Sequence, residues 1–335
     1  MRGRKRIRRL CGFVLAAALI LALTPTGYAA SGKEKKTVTG YYLDTIIVLT
    51  AYVNNEKVLN DALKECERYE KLLSRTIEGS DVWRINHAEG KAVSVSKDTI
   101  AILEKAREIS ELSGGVFDVT IAPVCELWDF SSGEAKLPDA AALRDAAKKV
   151  DYSAVQIKGR QVTLPKGMGI DLGAIAKGYI ADAVKDYLVR RGVKSAILSF
   201  GGNIVAIGQK PTGKPWKVGI QDIDRAIGEY MMVSLNFGGS TVTSGIYERS
   251  FDLDGTLYHH LLDPKTGWPV QNELASVTVF SEDSMLGDAL STAAFLLGTE
   301  KGAELIEGVD GVEAVFIARD RSVSMTSGAQ AYLSS

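Results

Sequence analysis

The sequence predicts an α+β fold with mostly antiparallel sheets. Strand-like runs follow one another as hairpin neighbours, and helical patterns are interspersed among them. A doubly wound parallel sheet fits this order less well. Tyr41 to Tyr52 reads as a strand, and Glu56 to Leu73 as an amphipathic helix with Leu59, Leu63, Cys66 and Leu73 on its apolar stripe. Thr99 to Leu112 is a second helix, ended by Gly114 and Gly115. Val155 to Ile157 and Val162 to Leu164 flank Lys158-Gly159-Arg160, a hairpin turn. Ala174 to Arg191 is a helix closed by Gly192, and Ala196 to Phe200 is a strand broken by Gly201-Gly202 before Ile204 to Ile207. Further strands are read at Trp216 to Ile220, Met231 to Leu235, Leu257 to Leu262, Ser276 to Phe280 and Ala314 to Ile317, and the Ala and Leu content of Asp288 to Leu297 favours helix. There is no internal repeat. The polar loop from Ser131 to Asp139 contains Pro138 but is too short to mark a domain boundary.

The front of the chain reads as an export signal. Met1 to Arg9 carries six basic residues and no acid, the apolar run Phe13 to Leu23 follows, and small residues around Ala29 suit a signal peptidase. The apolar run is shorter than the ~20 residues of a bilayer crossing. Residues 1–30 are therefore read as a signal peptide, with an N-terminal membrane anchor as the alternative. Cys11 precedes the apolar core, whereas a lipidated cysteine would follow it.

Composition narrows the function classes. Removing the six leader basic residues from a formal net charge of −1 leaves −7, which argues against a nucleic-acid surface. Hydrophobic residues make up 46% of the chain, enough for a substantial core. Cys66 and Cys125 are the cysteines beyond the leader and read as buried free thiols.

Three segments carry candidate chemistry, each with a structural alternative. Asp288 and Thr292 are four residues apart, so on a helix their oxygens share one face and suit a hard cation such as Mg2+. Asp288 could equally cap the helix that follows Gly287. Asp171-Leu172-Gly173 leads into a helix whose free N–H groups could meet phosphate, with Lys177 adding charge. Lys177 could instead be a solvated helix residue, but Gly178 costs ~1 kcal/mol inside a helix unless something approaches closely. His259 and His260 end a strand and face opposite ways, so at most one faces a pocket. A surface histidine beside a partly buried one is the alternative, and Asp263 before Pro264 could make an Asx-turn.

Taken in order, I-D-L-G-A-I-A-K-G-Y from Ile170, S-F-G-G-N from Ser199, T-S-G-I-Y-E-R from Thr243, H-H-L-L-D-P-K-T-G from His259 and D-A-L-S-T-A from Asp288 resemble the ApbE family of FAD:protein FMN transferases. Upstream, L-D-T at Leu43 to Thr45, S-D-V-W-R-I-N at Ser80 to Asn86 and G-G-V-F-D-V-T-I-A-P at Gly114 to Pro123 also match, so the resemblance spans nearly the whole chain after the leader. It implies a T-fold-like α+β catalytic unit, placed at residues 38–331, that splits FAD and attaches FMN through a phosphoester to Thr or Ser of another protein, with Mg2+ as cofactor. The resemblance assigns the metal to the carbonyl of Ala174 and the side chains of Asp288 and Thr292. It assigns FAD contacts to Leu43, Ser80, Asp81, Val82, Asp118, Val119, Thr120, Asp171, Lys177 and Leu261. Leu43 stands where many members have Met, and Lys177 where some have Glu. His260 and Asp288 are the candidates to steer the acceptor proton. The expected partner is an exported or membrane redox protein facing the extracytoplasmic compartment. Two other classes stay open: an FAD pyrophosphatase releasing FMN and AMP, and a non-catalytic extracytoplasmic flavin-binding protein.

Overall fold

The first hairpin shows how local chemistry departs from the sequence pattern. What reads as one strand from Tyr41 is two, β1 (Glu34–Tyr42) and β2 (Thr45–Val53), paired antiparallel through a turn at Leu43 and Asp44. Both turn residues have positive φ, 58° and 55°, the conformation that lets a two-residue turn match the strand twist. The computed structural model describes residues 33–334, apart from 131–134, 223–228 and 237. The leader read at 1–30 lies outside the described residues, among which no helix is long and apolar enough to cross a membrane.

Beyond the hairpin, α1 (Lys57–Leu73) packs Leu59, Ala62, Leu63 and Cys66 inward. There follow α2 (Asp81–Asn86), β3 (Val93–Ser94), α3 (Lys97–Leu112), α4 (Ala122–Cys125) and α5 (Ala140–Ala147). The predicted hairpin around Gly159 forms as β4 (Gln156–Lys158) and β5 (Gln161–Thr163), with β3 added to β5. Then come α6 (Ala176–Arg190), β6 (Ala196–Phe200), β7 (Asn203–Ile207), β8 (Trp216–Gln221), β9 (Tyr230–Asn236) and β10 (Gly239–Gly245). The chain closes with β11 (Ser250–Leu253), β12 (Thr256–His259), β13 (Leu274–Ser281), α7 (Ser284–Leu297), α8 (Thr299–Glu307), β14 (Glu313–Ala318) and β15 (Val323–Met325).

The central sheet has eight strands in the order β1-β2-β6-β7-β10-β13-β14-β15, every neighbour antiparallel. Side chains alternate along each strand and so build two cores. From β6, β7 and β13, Leu198, Phe200, Val205, Val277 and Val279 join the helical core of α1, α6 and α7. On the other face, Ile197, Ile204 and Ala206 pack against Trp216 and Val218 of β8, while Phe280, Val315 and Ile317 pack against Ile220 and Leu333. The α+β architecture with mostly antiparallel sheets is thus a three-layer one. Cys66 and Cys125 are free thiols, and burial pushes the Cys66 thiol up to about 12.

The crossing of α6 and α7 sets the rest. A Cβ on Gly178 would lie 2.2 Å from the Ser284 carbonyl oxygen and 2.7 Å from Met285 Cα, so the two backbones meet there. The close approach expected at this glycine comes from a helix. Asp182, one turn on, accepts the Met285 N–H at 2.9 Å, and Lys185 Nζ lies 3.1 Å from its other oxygen. Burial, reinforced by Asp283, pushes the Asp182 carboxyl up to about 7, against the pull of Lys185 and Met285.

Two outcomes follow at this crossing. Gly178→Ala should lower unfolding free energy by at least about 2 kcal/mol, because backbone cannot step aside as a flexible side chain would; urea unfolding measures it, and an unchanged midpoint would contradict the contact. Folding raises the proton affinity of Asp182, so its contribution is fully present below the ordinary carboxylate range near pH 4 and is lost as pH rises towards 7. Asp182→Asn should therefore gain stability relative to the unaltered protein between pH 4 and pH 8, read as the difference in urea midpoint at the two ends.

Candidate active site

Helix α7 begins four residues earlier than its composition indicated. Asp283 is the N-cap, its carboxylate accepting the Leu286 N–H at 2.9 Å, and this leaves Asp288 inside the helix with 2% of its surface exposed. The capping alternative for Asp288 is thereby replaced. Its Oδ2 accepts the backbone N–H of Gly178 at 2.9 Å, and Lys177 Nζ lies 3.4 Å from Oδ1. Thr292 follows one turn later, its Oγ1 3.3 Å from Ser244 Oγ of β10, which also meets Ser291 Oγ at 2.8 Å.

The Gly178 bond has a structural cost on α6. In a regular helix the Gly178 amide would bond the carbonyl four residues back, that of Ala174. Here α6 starts only at Ala176, the amide goes to Asp288, and the Ala174 carbonyl receives no backbone donor among the described residues. The neighbouring Gly173 carbonyl accepts Lys177 Nζ at 3.2 Å. A buried carboxylate, a hydroxyl and a freed carbonyl are oxygen donors of the kind Mg2+ takes, with substrate phosphate and water completing its shell. The donor set fits that ion. Among the described residues no three His, Cys, Asp or Glu side chains cluster as a metal site.

A second group of segments is locked to the 170–174 strand-to-helix junction. Asn86 clamps Ile170 by both backbone groups, at 2.7 and 2.9 Å, and Asp171 N–H reaches the Val119 carbonyl at 2.8 Å. Asp171 binds the Gly173 N–H through Oδ1 at 2.7 Å and Arg75 Nε through Oδ2 at 2.7 Å. Asp118 accepts from the Thr120 amide and hydroxyl and from the Tyr152 amide, and Val119 is buried. Ser80 caps α2 by accepting the Trp83 N–H, and Val82 is fully buried. Asp81 accepts from Ser96 N–H and Thr99 Oγ1, both at 2.7 Å, and pairs with Arg84. Burial opposes its ionisation, but the Ser96 and Thr99 bonds hold its carboxyl below the ordinary range. Leu43, in the first turn, donates its N–H to Glu70 at 2.7 Å, and Leu261 is buried with its carbonyl bonded to Val270 N–H. The side chains of Asp81 and Asp118 are spent on these internal bonds, so what their segments offer a ligand is chiefly backbone.

The two histidines part as strand geometry requires. His259 is fully buried, edge-on to Phe295 with ring centroids 5.9 Å apart. His260 is only partly buried and places Nδ1 3.3 Å from the Arg249 carbonyl. Burial, with the charges of Arg249 and Lys177, drives its pKa down to about 3, so the ring is neutral at ordinary pH. With Nδ1–H donating to that carbonyl, Nε2 is the basic atom. Asp263 forms the Asx-turn, accepting Lys265 N–H at 2.8 Å.

Several residues escaped sequence reasoning. Glu248 reaches over Gly202, where a Cβ would lie 2.6 Å from its Oε1. Burial pushes its carboxyl up to about 7, while Lys177 pulls it down and Asp288 pushes it further up. Its only signal was its place in T-S-G-I-Y-E-R. Arg75 and Asn86 gave less, since one ion pair and one backbone clamp leave no spacing to read. A separate cleft of about 500 Å3, lined by Arg107, Tyr152 and Lys158, contains none of the residues around Asp288.

The chain belongs to the ApbE family, whose model matches residues 43–316. Its relatives include a FAD:protein FMN transferase of Klebsiella pneumoniae, 36% identical over 84% of this chain and 88% of that one. Another, from Treponema pallidum, is 36% identical over 81% of this chain and 79% of its own length. Among solved structures, the ApbE protein of Thermotoga maritima superposes with a TM-score of 0.83 at 28% identity, covering 90% of this chain and all of that one. The Pseudomonas stutzeri flavinyl transferase ApbE gives 0.79 at 27%, covering 90% and 98%.

The scaffold role of Asp81 is testable. Asp81→Ala leaves the Ser96 amide and Thr99 hydroxyl without their acceptor and should cost about 3 kcal/mol in urea unfolding. A loss of flavin affinity at unchanged stability would instead make the side chain a ligand contact.

Proposed function

We propose that this chain is an Mg2+-dependent FAD:protein FMN transferase that moves FMN from FAD to a Thr or Ser hydroxyl of an exported or membrane redox protein and releases AMP. The names of its relatives support transfer of flavin to protein. The observation that carries the mechanistic reading is the buried Asp288 carboxylate, inside a helix one turn before Thr292 and bonded to the Gly178 amide that a regular helix would give to the Ala174 carbonyl. When bound there, Mg2+ supplies charge neutralisation at the pyrophosphate through Asp288, Thr292 and the Ala174 carbonyl.

The chain's own groups do the remaining work. With the Asp171 and Gly173 N–H groups already bonded, the 171–174 turn offers those of Leu172 and Ala174 at the start of α6, and Lys177 one turn in, as a place for phosphate oxygens. The acceptor hydroxyl oxygen attacks the FMN-side phosphorus, the new O–P bond forms as the bridging P–O bond breaks, and AMP leaves with the bridging oxygen. His260 is better placed than Asp288 to take the hydroxyl proton. Both Asp288 oxygens already have partners, whereas His260 is neutral with Nε2 basic. A base this weak accepts the proton late, as the attacking oxygen gains positive character. The basic, then apolar, leader supports placing the reaction on the extracytoplasmic side, with the N-terminus as a signal or an anchor.

Purified protein incubated with FAD, Mg2+ and an exported flavoprotein acceptor should give in-gel fluorescence on the acceptor and AMP in solution. Free FMN without labelled acceptor would mean a pyrophosphatase, and no turnover a binding protein. Asp288→Ala should abolish transfer yet fold, because the Gly178 amide then has the Ala174 carbonyl as its ordinary acceptor; full transfer by this variant would sink the site. His260→Ala should lower kcat by roughly 100-fold with FAD binding mostly kept.

A further inference from the structure

Lys177 has two partners at once. Its ammonium lies 3.2 Å from the Gly173 carbonyl and 3.4 Å from Asp288 Oδ1. Asp288 Oδ2 is committed to the Gly178 amide, so Oδ1 is the oxygen left for a cation, and the lysine holds it. The exposures of the two side chains differ: 3% for Asp288 and 23% for Lys177. A carboxylate this buried needs a compensating charge at all times and cannot turn to water for it. The ammonium, on a flexible four-carbon stem that reaches solvent, can leave.

Two cations cannot share one buried oxygen at contact distance without strong repulsion. A divalent ion taking Asp288 Oδ1 and the Ala174 carbonyl must therefore displace the lysine from Asp288. The start of α6 is where a pyrophosphate would add negative charge for the displaced ammonium to meet. We propose that Lys177 is the resident counter-ion of the cation site. It neutralises Asp288 until a divalent cation displaces it, and the released ammonium then pairs with the pyrophosphate, so that cation and diphosphate binding are coupled through one side chain. This rests on the reading of Asp288, Thr292 and Ala174 as cation ligands. It gives Lys177 a positioning role that a Glu at the same place cannot perform.

The test uses the protein with its leader removed and Mn2+ alone as probe, with affinity read by electron paramagnetic resonance of the free ion. Lys177→Gln should bind Mn2+ roughly tenfold more tightly than the unaltered protein, because the competing charge is gone. Lys177→Arg, which keeps that charge, should bind no more tightly. Asp288→Asn should lose the site in either background. If Asp288→Asn binds Mn2+ as well as the unaltered protein, the cation site itself is wrong. If Asp288→Asn loses binding while Lys177→Gln binds equally or less tightly, the site stands and the counter-ion role falls. With ADP as the diphosphate probe, the factor by which Mn2+ tightens binding should be several-fold smaller in Lys177→Gln, and an unchanged factor would overturn the hand-over. Thermal unfolding of each variant in the absence of Mn2+ confirms that the comparison is between folded proteins.

Discussion

One hydrogen bond, from the Gly178 backbone N–H to the Asp288 carboxylate, organises the centre of this protein. It joins α6 to α7 at the point where their backbones touch, and it takes from α6 the bond that would have completed its first turn. The price is a shorter helix and an Ala174 carbonyl that no backbone N–H among the described residues reaches. The return is a buried, oriented carboxylate, with a hydroxyl one turn further along α7. Neither helix could present this set alone.

The surrounding architecture follows from that constraint. Only glycine fits at 178, since a Cβ would lie 2.2 Å from a carbonyl oxygen. Gly287 plays a similar part against the sheet, where a Cβ would lie 2.8 Å from Ser281 Oγ and 3.2 Å from Val242. With α7 seated so closely, Ser244 of β10 reaches Ser291 and Thr292 and ties the helix face to the sheet. The junction before α6 is fixed from the other side, where Asn86, Val119 and Arg75 hold residues 170 and 171. Segments more than eighty residues apart in sequence thus meet at one turn.

Much of this could be read from the chain, and the failures have specific causes. The antiparallel α+β class was visible because β4, β5, β6 and β7 are hairpin partners joined through glycine turns. The Leu43-Asp44 turn is hidden in the sequence because neither residue is the glycine or asparagine that normally marks positive φ. In sequence Gly287 reads as the boundary of α7, whereas it is a packing position and Asp283 is the cap. A glycine inside a helix pattern marks position 178 as anomalous, but sequence does not say whether a ligand or a second helix approaches. Asp288 and Thr292 share a face as their spacing required. That the carboxylate bonds an amide of another helix is a tertiary fact, as are Glu248 over Gly202 and Arg75 on Asp171.

The central claim is that diverting the Gly178 amide to Asp288 creates a cation site with the Ala174 carbonyl. Diffraction from crystals soaked in Mn2+, with the ion located by its anomalous scattering, tests it most directly. The account predicts a peak bonded to the Asp288 carboxylate, Thr292 Oγ1 and the Ala174 carbonyl oxygen, with the Gly178 N–H still on Asp288. A peak elsewhere, or a Gly178 amide bonded to the Ala174 carbonyl in the usual helical way, would contradict it.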